Sequence, residues 1–279
     1  MHNQPQLSVV VPTYNRAPLL RKTLESLADQ RDPPPFEVIV ADDGSADDSE
    51  QVAEEFSDRL AIRYRYQEDQ GYRVAKARNM GAAIARAPIL VFLDSGTLAG
   101  PDLLAGHLRG HAEHRPGPGS PARGAAVIGY TYGYRPYDPT PGLAESFTSL
   151  SPQQVYQRYL CDPQFRDSRH EALDKVDFSL TGLRMPWLFF WTLNVSVHAA
   201  DYAAVAGFDE RFHSWGGRTW NSGTACTGTV CRSPATPSPG RWKYRTSVTA
   251  RPVSPATRAT RCACSWHTPT LPSSSSGHC

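Results

Sequence analysis

Residues 7–11 form a run of apolar and β-branched positions closed by Pro12, the pattern of a strand buried on both faces of a parallel sheet. Leu19, Leu20, Leu24 and Leu27 then recur at helical spacing and predict a helix over 17–30, which Pro33, Pro34 and Pro35 end. The alternation continues with a strand over 36–41, a turn at Asp42-Asp43-Gly44-Ser45 and a helix over 46–56. A short strand over 62–66, an Ala-rich helix over 74–87 and a buried strand over 89–93 complete it. Such alternation implies right-handed crossovers and an α/β, Rossmann-like and mostly parallel sheet. From about Asp102 the pattern loosens into Gly- and Pro-rich loops, with one strand expected over 126–132 and one helix over 152–160. No internal repeat is present.

Composition changes this picture at one place. Residues 1–217 carry 21 Lys and Arg against all 27 acids, a net −6, whereas residues 218–279 carry eight bases and no acid, a net +8. Cysteine divides at the same place: Cys161 stands alone, while Cys226, Cys231, Cys262, Cys264 and Cys279 crowd the tail. A Cys-x-Cys pair with His267 nearby is a poor match to the paired spacing of a structural zinc site. The chain is therefore divided into a first part over 1–101, where the alternation is strict, a second over 102–217, where it loosens, and an aberrant tail over 218–279 with little regular structure. The longest uninterrupted apolar stretch, around residues 185–191, is far short of a membrane span, and no signal-peptide pattern opens the chain. A cytoplasmic protein without a membrane span or nucleic-acid partner is expected.

In an open α/β sheet, ligands bind beyond the carboxyl ends of the strands. Three strands end in polar residues: Thr13-Tyr14-Asn15-Arg16, Asp42-Asp43-Gly44-Ser45 and Asp94-Ser95-Gly96. Ordinary turn chemistry explains any one of them alone. Together they offer an aromatic ring, carboxylates and hydroxyls at one sheet edge, groups suited to a base and a ribose. Arg73, Lys76 and Arg78 by spacing alone read as a solvated cationic helix face. Tyr130, Tyr132 and Tyr134 alternate as on a strand, with Tyr137 close by; they fit either an acceptor platform or a half-buried sheet face.

Four segments carry a resemblance. They are Val9-Val10-Val11-Pro12-Thr13-Tyr14-Asn15-Arg16, Val40-Ala41-Asp42-Asp43-Gly44-Ser45, the run from Asp69-Gln70-Gly71-Tyr72 to Arg78-Asn79-Met80-Gly81, and Gly207-Phe208-Asp209-Glu210 with Trp215-Gly216-Gly217. In these the chain resembles the inverting family 2 glycosyltransferases of GT-A fold, in their chondroitin-polymerase-like and galactosyltransferase-like branch. The resemblance implies that Tyr14 packs on a uracil, that Asp43 accepts from its N3–H, and that Thr13, Arg78 and Asp94 lie beside the donor. It also implies that 1–101 is the nucleotide-sugar-binding half and 102–217 the acceptor-binding half, and that Trp191, Asn194, Trp215, Gly216 and Gly217 line the sugar and acceptor pocket. The expected partners are a UDP-sugar, of glucose or galactose, and a small-molecule or saccharide acceptor. An aminocyclitol such as validoxylamine is the first guess, with a polysaccharide-synthesising enzyme or a catalytically dead sugar- or nucleotide-binding module as alternatives. A sugar-phosphate nucleotidylyltransferase is disfavoured, because Pro12-Thr13-Tyr14-Asn15 stands where its Gly-rich, basic loop would be.

Two departures matter. Relatives carry Asp-x-Asp at the third turn, for Mg²⁺ or Mn²⁺; here Gly96 replaces the second carboxylate, leaving Asp94 to keep the metal with water and diphosphate oxygens, or Asp102 or His213 to substitute. After Gly217 the family continues with Glu-Asp, the pair that holds its catalytic base, and a helix opening Val-Glu-x-Gly-Tyr-Arg-Leu, but Arg218-Thr219 stand here instead. Codons common in a GC-rich genome can encode residues 219–231 so that reading one base earlier yields Asp-Val-Glu-Leu-Gly-Tyr-Arg-Leu-His-Arg-Asp-Gly-Leu. With GGG for Gly217 and AGG for Arg218 the preceding Glu is restored too. A single-base deletion near codon 217 is the expected cause of the tail, against the competing reading of a disordered basic tail that binds nucleic acid or an acidic partner.

Overall fold

The computed structural model describes residues 4–113, 125–133, 143–159, 162–180, 183 and 185–212. The tail over 218–279, together with Tyr134, Tyr137, Trp215, Gly216 and Gly217, lies outside the described residues.

The amino-terminal half alternates as its hydrophobic pattern requires: β1 (Leu7–Thr13), α1 (Ala17–Ala28), β2 (Phe36–Asp42), α2 (Ser49–Glu55), β3 (Ile62–Tyr66), α3 (Val74–Ala83) and β4 (Ile89–Leu93). Beyond it come α4 (Leu103–Glu113), β5 (Val127–Ile128), α5 (Leu143–Ser149), α6 (Pro152–Tyr159), α7 (His170–Asp174), β6 (Asn194–His198) and α8 (Ala199–Ala204). One sheet runs through both, in the order β3-β2-β1-β4-β6-β5. The strands β1 to β4 are parallel, and β6 closes antiparallel against β4 and β5. Because β1 connects to β2 on one side while β4 pairs on its other side, the strand order reverses between β1 and β4, where α/β sheets open their crevice.

Successive side chains leave a strand on opposite faces. Leu7, Val9 and Val11 accordingly pack with Leu20, Leu24 and Leu27 of α1 and Leu103 and Leu104 of α4, while Val10 packs with Ala75 and Ala77 of α3 and Phe92, Phe190 and Phe208. Both faces of β1, β2 and β4 are thus covered, while β3 at the sheet edge is half-buried to exposed.

Three expectations on element bounds are corrected. The α2 helix starts at Ser49, not at residue 46, because Ala46 donates its N–H to Asn15 Oδ1 at 2.7 Å and the Asp47 carboxylate takes the Ser49 hydroxyl at 2.6 Å. The α3 helix ends at Ala83, since Arg86 donates its N–H to Glu37 Oε1 at 2.7 Å instead of continuing the helical ladder. The strand expected over 126–132 shrinks to two residues because side chains take the backbone groups beyond it. Asp167 Oδ2 accepts the Thr131 N–H at 2.7 Å, and Arg169 donates to the Gly129 carbonyl at 2.9 Å.

Candidate active site

The first two strand-end turns are sewn to each other. Asp43 N–H donates to the Thr13 carbonyl at 2.9 Å, Asn15 N–H to Ser45 Oγ at 2.8 Å, and Ala17 N–H to Asp47 Oδ2 at 2.8 Å. Asp42 is spent inside its turn. One of its oxygens accepts the N–H groups of Gly44 at 2.9 Å and Ser45 at 2.7 Å, and the other takes the Tyr64 hydroxyl at 2.6 Å. The turn can close only on glycine, as Gly44 has φ +100° and a Cβ there would stand 2.4 Å from the Asp69 nitrogen.

That contact brings in the segment after β3. Gln67 donates its amide to Asp43 Oδ1 at 2.5 Å, and the Arg73 N–H at the start of α3 donates to Asp43 Oδ2 at 2.8 Å. Burial pushes the Asp43 carboxyl above its ordinary range, while these two donors pull it back. Tyr14 is 42% exposed, and its hydroxyl donates to Asp69 Oδ2 at 2.8 Å. Asp69, whose other oxygen accepts the Gly71 N–H at 2.9 Å, titrates below the usual range for that reason. Thr13 Oγ1 is buried with no hydrogen-bond partner.

The Arg78 side chain crosses from α3 to the end of β4. It is 4% exposed, donates to Asp94 Oδ1 at 2.6 Å, keeps its Nε buried without a partner, and lies 5.7 Å from the Phe208 ring centre. Thr13, Tyr14, Asp43, Arg78 and Asp94 therefore come from the adjoining ends of β1, β2, α3 and β4. The Asp94 N–H reaches the Leu193 carbonyl at 3.3 Å, which ties this turn to the segment leading into β6.

Next to Arg78, Asn79 joins two segments that are distant in sequence. Its amide donates to the Phe208 carbonyl at 2.9 Å and to Glu210 Oε1 at 2.8 Å; its carbonyl accepts the Phe208 N–H at 2.9 Å and the Tyr202 hydroxyl. The segment before Trp215 is thereby clasped to α3.

The acceptor-half residues separate. Trp191 is partly buried under a guanidinium, with Arg169 Cζ 4.5 Å from its ring centre, and its Nε1 donates to the Leu188 carbonyl at 3.0 Å. Asn194 is 1% exposed, and its Oδ1 bonds His107 Nε2 at 2.9 Å. Its side chain faces α4, not an open pocket, because Asn194 and Ser196 alternate onto the face that His107 and His111 cover. Ser196 Oγ lies 2.8 Å from both His107 Nδ1 and His111 Nε2. Burial lowers His107 to a pKa of about 4. Tyr130 is buried too, its hydroxyl 2.9 Å from His170 Nδ1, and its ring packs against Tyr132 and Phe178 as a sheet-edge cluster.

Four features escaped the sequence reading. His107 and His111, four residues apart on α4, and alternating Asn194 and Ser196 on β6 signal one buried polar layer only when the two segments are read together, since neither shows it alone. Asn79 and Asp69 stood inside quoted motifs with no role given. The pair Asp167 and Arg169, one turn before α7, carried no pattern at all.

The metal implied by the third turn finds no match. Asp94 already accepts from Arg78, position 96 has no side chain, Asp102 accepts from Arg31 at 3.1 and 3.0 Å, His213 lies outside the described residues, and among the described residues no group of three or more His, Cys, Asp or Glu is arranged around a common point. The described residues do not fit a resident Mg²⁺ or Mn²⁺.

Known proteins align with this arrangement. Residues 8–156 match the model of glycosyl transferase family 2. Validoxylamine A glucosyltransferase of Streptomyces hygroscopicus subsp. jinggangensis is 49% identical over 214 residues, covering 76% of this chain and 49% of that protein. Chondroitin synthase of Pasteurella multocida is 29% identical over 215 residues, 76% of this chain and 22% of the relative. The chain spans about half the length of the first curated relatives it matches. Among solved structures, S. aureus TarS 1–349 in complex with UDP-GlcNAc superposes with a TM-score of 0.55 at 20% identity, over 79% of this chain and 53% of that one. The fold is that of the GT-A glycosyltransferases, among the described residues no helix is long and apolar enough to cross a membrane, and the chain belongs to glycosyl transferase family 2.

Proposed function

We propose that the ends of β1, β2 and β4 bind a UDP-sugar, UDP-glucose or UDP-galactose, and that the intact protein transfers the hexose with inversion to a hydroxyl of an aminocyclitol such as validoxylamine. The observation that carries the donor half of this reading is Asp43, a buried carboxylate at the end of β2 beside an exposed Tyr14. Each Asp43 oxygen accepts one protein donor, so lone pairs remain for a uracil N3–H. Tyr14 offers its ring face for stacking while its hydroxyl is anchored on Asp69. The acceptor assignment rests on identity sustained over the same reach: validoxylamine A glucosyltransferase is 49% identical over 214 residues, more than the donor half contains, where chondroitin synthase of Pasteurella multocida is 29% identical over 215. That polysaccharide relative supports the second reading, a saccharide acceptor.

In this reading Trp191 offers a ring face to the acceptor, and Asn194 serves from behind by holding β6 in register with β4. Trp215, Gly216 and Gly217 remain candidates for the same pocket. Inverting transfer removes the acceptor hydroxyl proton as the new glycosidic bond forms and the diphosphate departs, so a carboxylate must stand at that hydroxyl. The family's Glu-Asp pair is replaced by Arg218-Thr219. Of the other carboxylates nearby, Asp209 is already held by Arg211 at 2.7 Å. The chain as written is therefore expected to turn over 10² to 10⁴ times more slowly, on the order found when a general base is lost. Incubating the 279-residue chain and a protein with the reading frame restored after Gly217 with UDP-glucose or UDP-galactose and validoxylamine tests this. The reading expects hexosylated product from the restored protein alone. Transfer only to a polysaccharide primer would defeat the acceptor assignment, and equal turnover by both chains would defeat the assignment of the base.

A further inference from the structure

We infer that donor binding by this chain does not depend on a divalent cation, and that the Arg78 guanidinium supplies the positive charge beside the diphosphate in its place. The inference rests on the donor reading above.

Three independent features lead to it. Asp94 is the one carboxylate of the third turn, and its Oδ1 is committed to Arg78 NH2 at 2.6 Å, so the pair is electrically neutral before any ligand arrives. The second carboxylate is missing through the backbone as well as the side chain. Gly96 sits at φ +93°, a conformation L residues seldom adopt, and its N–H donates to Thr23 Oγ1 at 2.9 Å, which pins the turn to α1. Arg78, finally, is 4% exposed and keeps a buried Nε with no hydrogen-bond partner. An unpartnered buried N–H on a cation is an unmet demand for an acceptor.

The charge balance follows. A divalent ion beside this turn would meet one already neutralised carboxylate and a fixed guanidinium, whereas two free carboxylates would have balanced it. Beside a diphosphate, Mg²⁺ is held by one or two carboxylates together with phosphate oxygens and water, and here the single carboxylate is already paired with a guanidinium. A diphosphate meets the reverse situation, because Asp94 is 37% exposed at its side chain and Arg78 stands directly behind it. A small shift of Asp94 releases the guanidinium toward phosphate oxygens, with which it can form paired charge-assisted hydrogen bonds.

The test is calorimetric titration of UDP into the 279-residue chain in EDTA and again in millimolar Mn²⁺, with Gly96→Asp run in parallel. The atoms nearest a Cβ at position 96 belong to Leu19, the first at 3.5 Å, an ordinary van der Waals contact, so the Cβ has room despite the backbone strain. The expected result is a dissociation constant that differs by less than about threefold between EDTA and Mn²⁺ for the natural chain. Gly96→Asp is expected to bind at least tenfold more weakly in EDTA and to recover in Mn²⁺, having acquired a metal requirement. Binding by the natural chain that appears only with Mn²⁺ would overturn the inference and leave the donor reading standing. No UDP binding under either condition would defeat the donor reading and this inference with it. Thermal melts of both proteins separate lost folding from lost affinity, and the comparison of the natural chain with itself needs no variant.

Discussion

The two halves of the molecule reach their order by different means. In the first half the strand-end turns are bonded to one another through short links: Asp43 to Thr13, Asn15 to Ser45, and Gln67 to Asp43. In the acceptor half, long side chains reach in and take backbone groups that no strand or helix uses. Arg169 alone bonds Asp167, the Phe189 carbonyl and the Gly129 carbonyl while covering Trp191. The difference teaches that the proposed donor site is a by-product of the parallel sheet, whereas the half beyond it hangs on a few buried polar knots.

The strongest way to break this contrast is to cut one knot. Arg169→Leu strands the buried Asp167 carboxylate and is expected to cost about 3–5 kcal/mol in urea unfolding. UDP affinity of the fraction that remains folded should stay within about twofold. Equal loss of donor binding would show that the halves are not separable in this way.

Acid separates them next. His107 is fully buried with its pKa lowered to about 4, so its neutral form stabilises the fold fully above its ordinary 6.5 and that contribution is lost as pH falls toward 4. The loss is up to about 3 kcal/mol, from a shift of this size at 1.36 kcal/mol per unit. Asp43 works in the opposite direction: its raised pKa favours the fold below 3.8 and loses that effect as pH rises through the folded value. Urea midpoints from pH 7 to pH 4 should therefore fall, and His107→Gln should flatten the fall. An unchanged slope in the variant would remove His107 from the account.

How much of this was legible in the sequence follows the same division. Alternating apolar runs and proline stops predict β1 to β4 and their helices, because a strand buried on both faces leaves a continuous hydrophobic signature. The polar residues at the strand ends predict Tyr14, Asp43 and Asp94 as neighbours for a topological reason. Beyond Asp102 the signature fails. The strand β6 reads Asn-Val-Ser-Val-His, and nothing local distinguishes a polar face buried by two histidines from one facing water. Asn194 was accordingly expected in the pocket, and its burial against His107 corrects that.

A smaller effect is expected where the halves meet. Asn79→Ala removes the clasp on Phe208 and Glu210, and leaving those groups unmet should cost roughly 2 kcal/mol. Hydrogen exchange over residues 207–210 should rise while exchange in β1 and β2 stays unchanged. Uniform acceleration would mean that Asn79 acts on the whole fold.

The most direct test of the central claim, that a complete uridine-diphosphate site survives in this chain, is titration of UDP into the 279-residue protein and its Asp43→Ala variant. Loss of a charge-assisted hydrogen bond of about 1.5–3 kcal/mol predicts binding some 10- to 100-fold weaker in the variant. Millimolar or weaker binding by the natural chain, unchanged in Asp43→Ala, would contradict it.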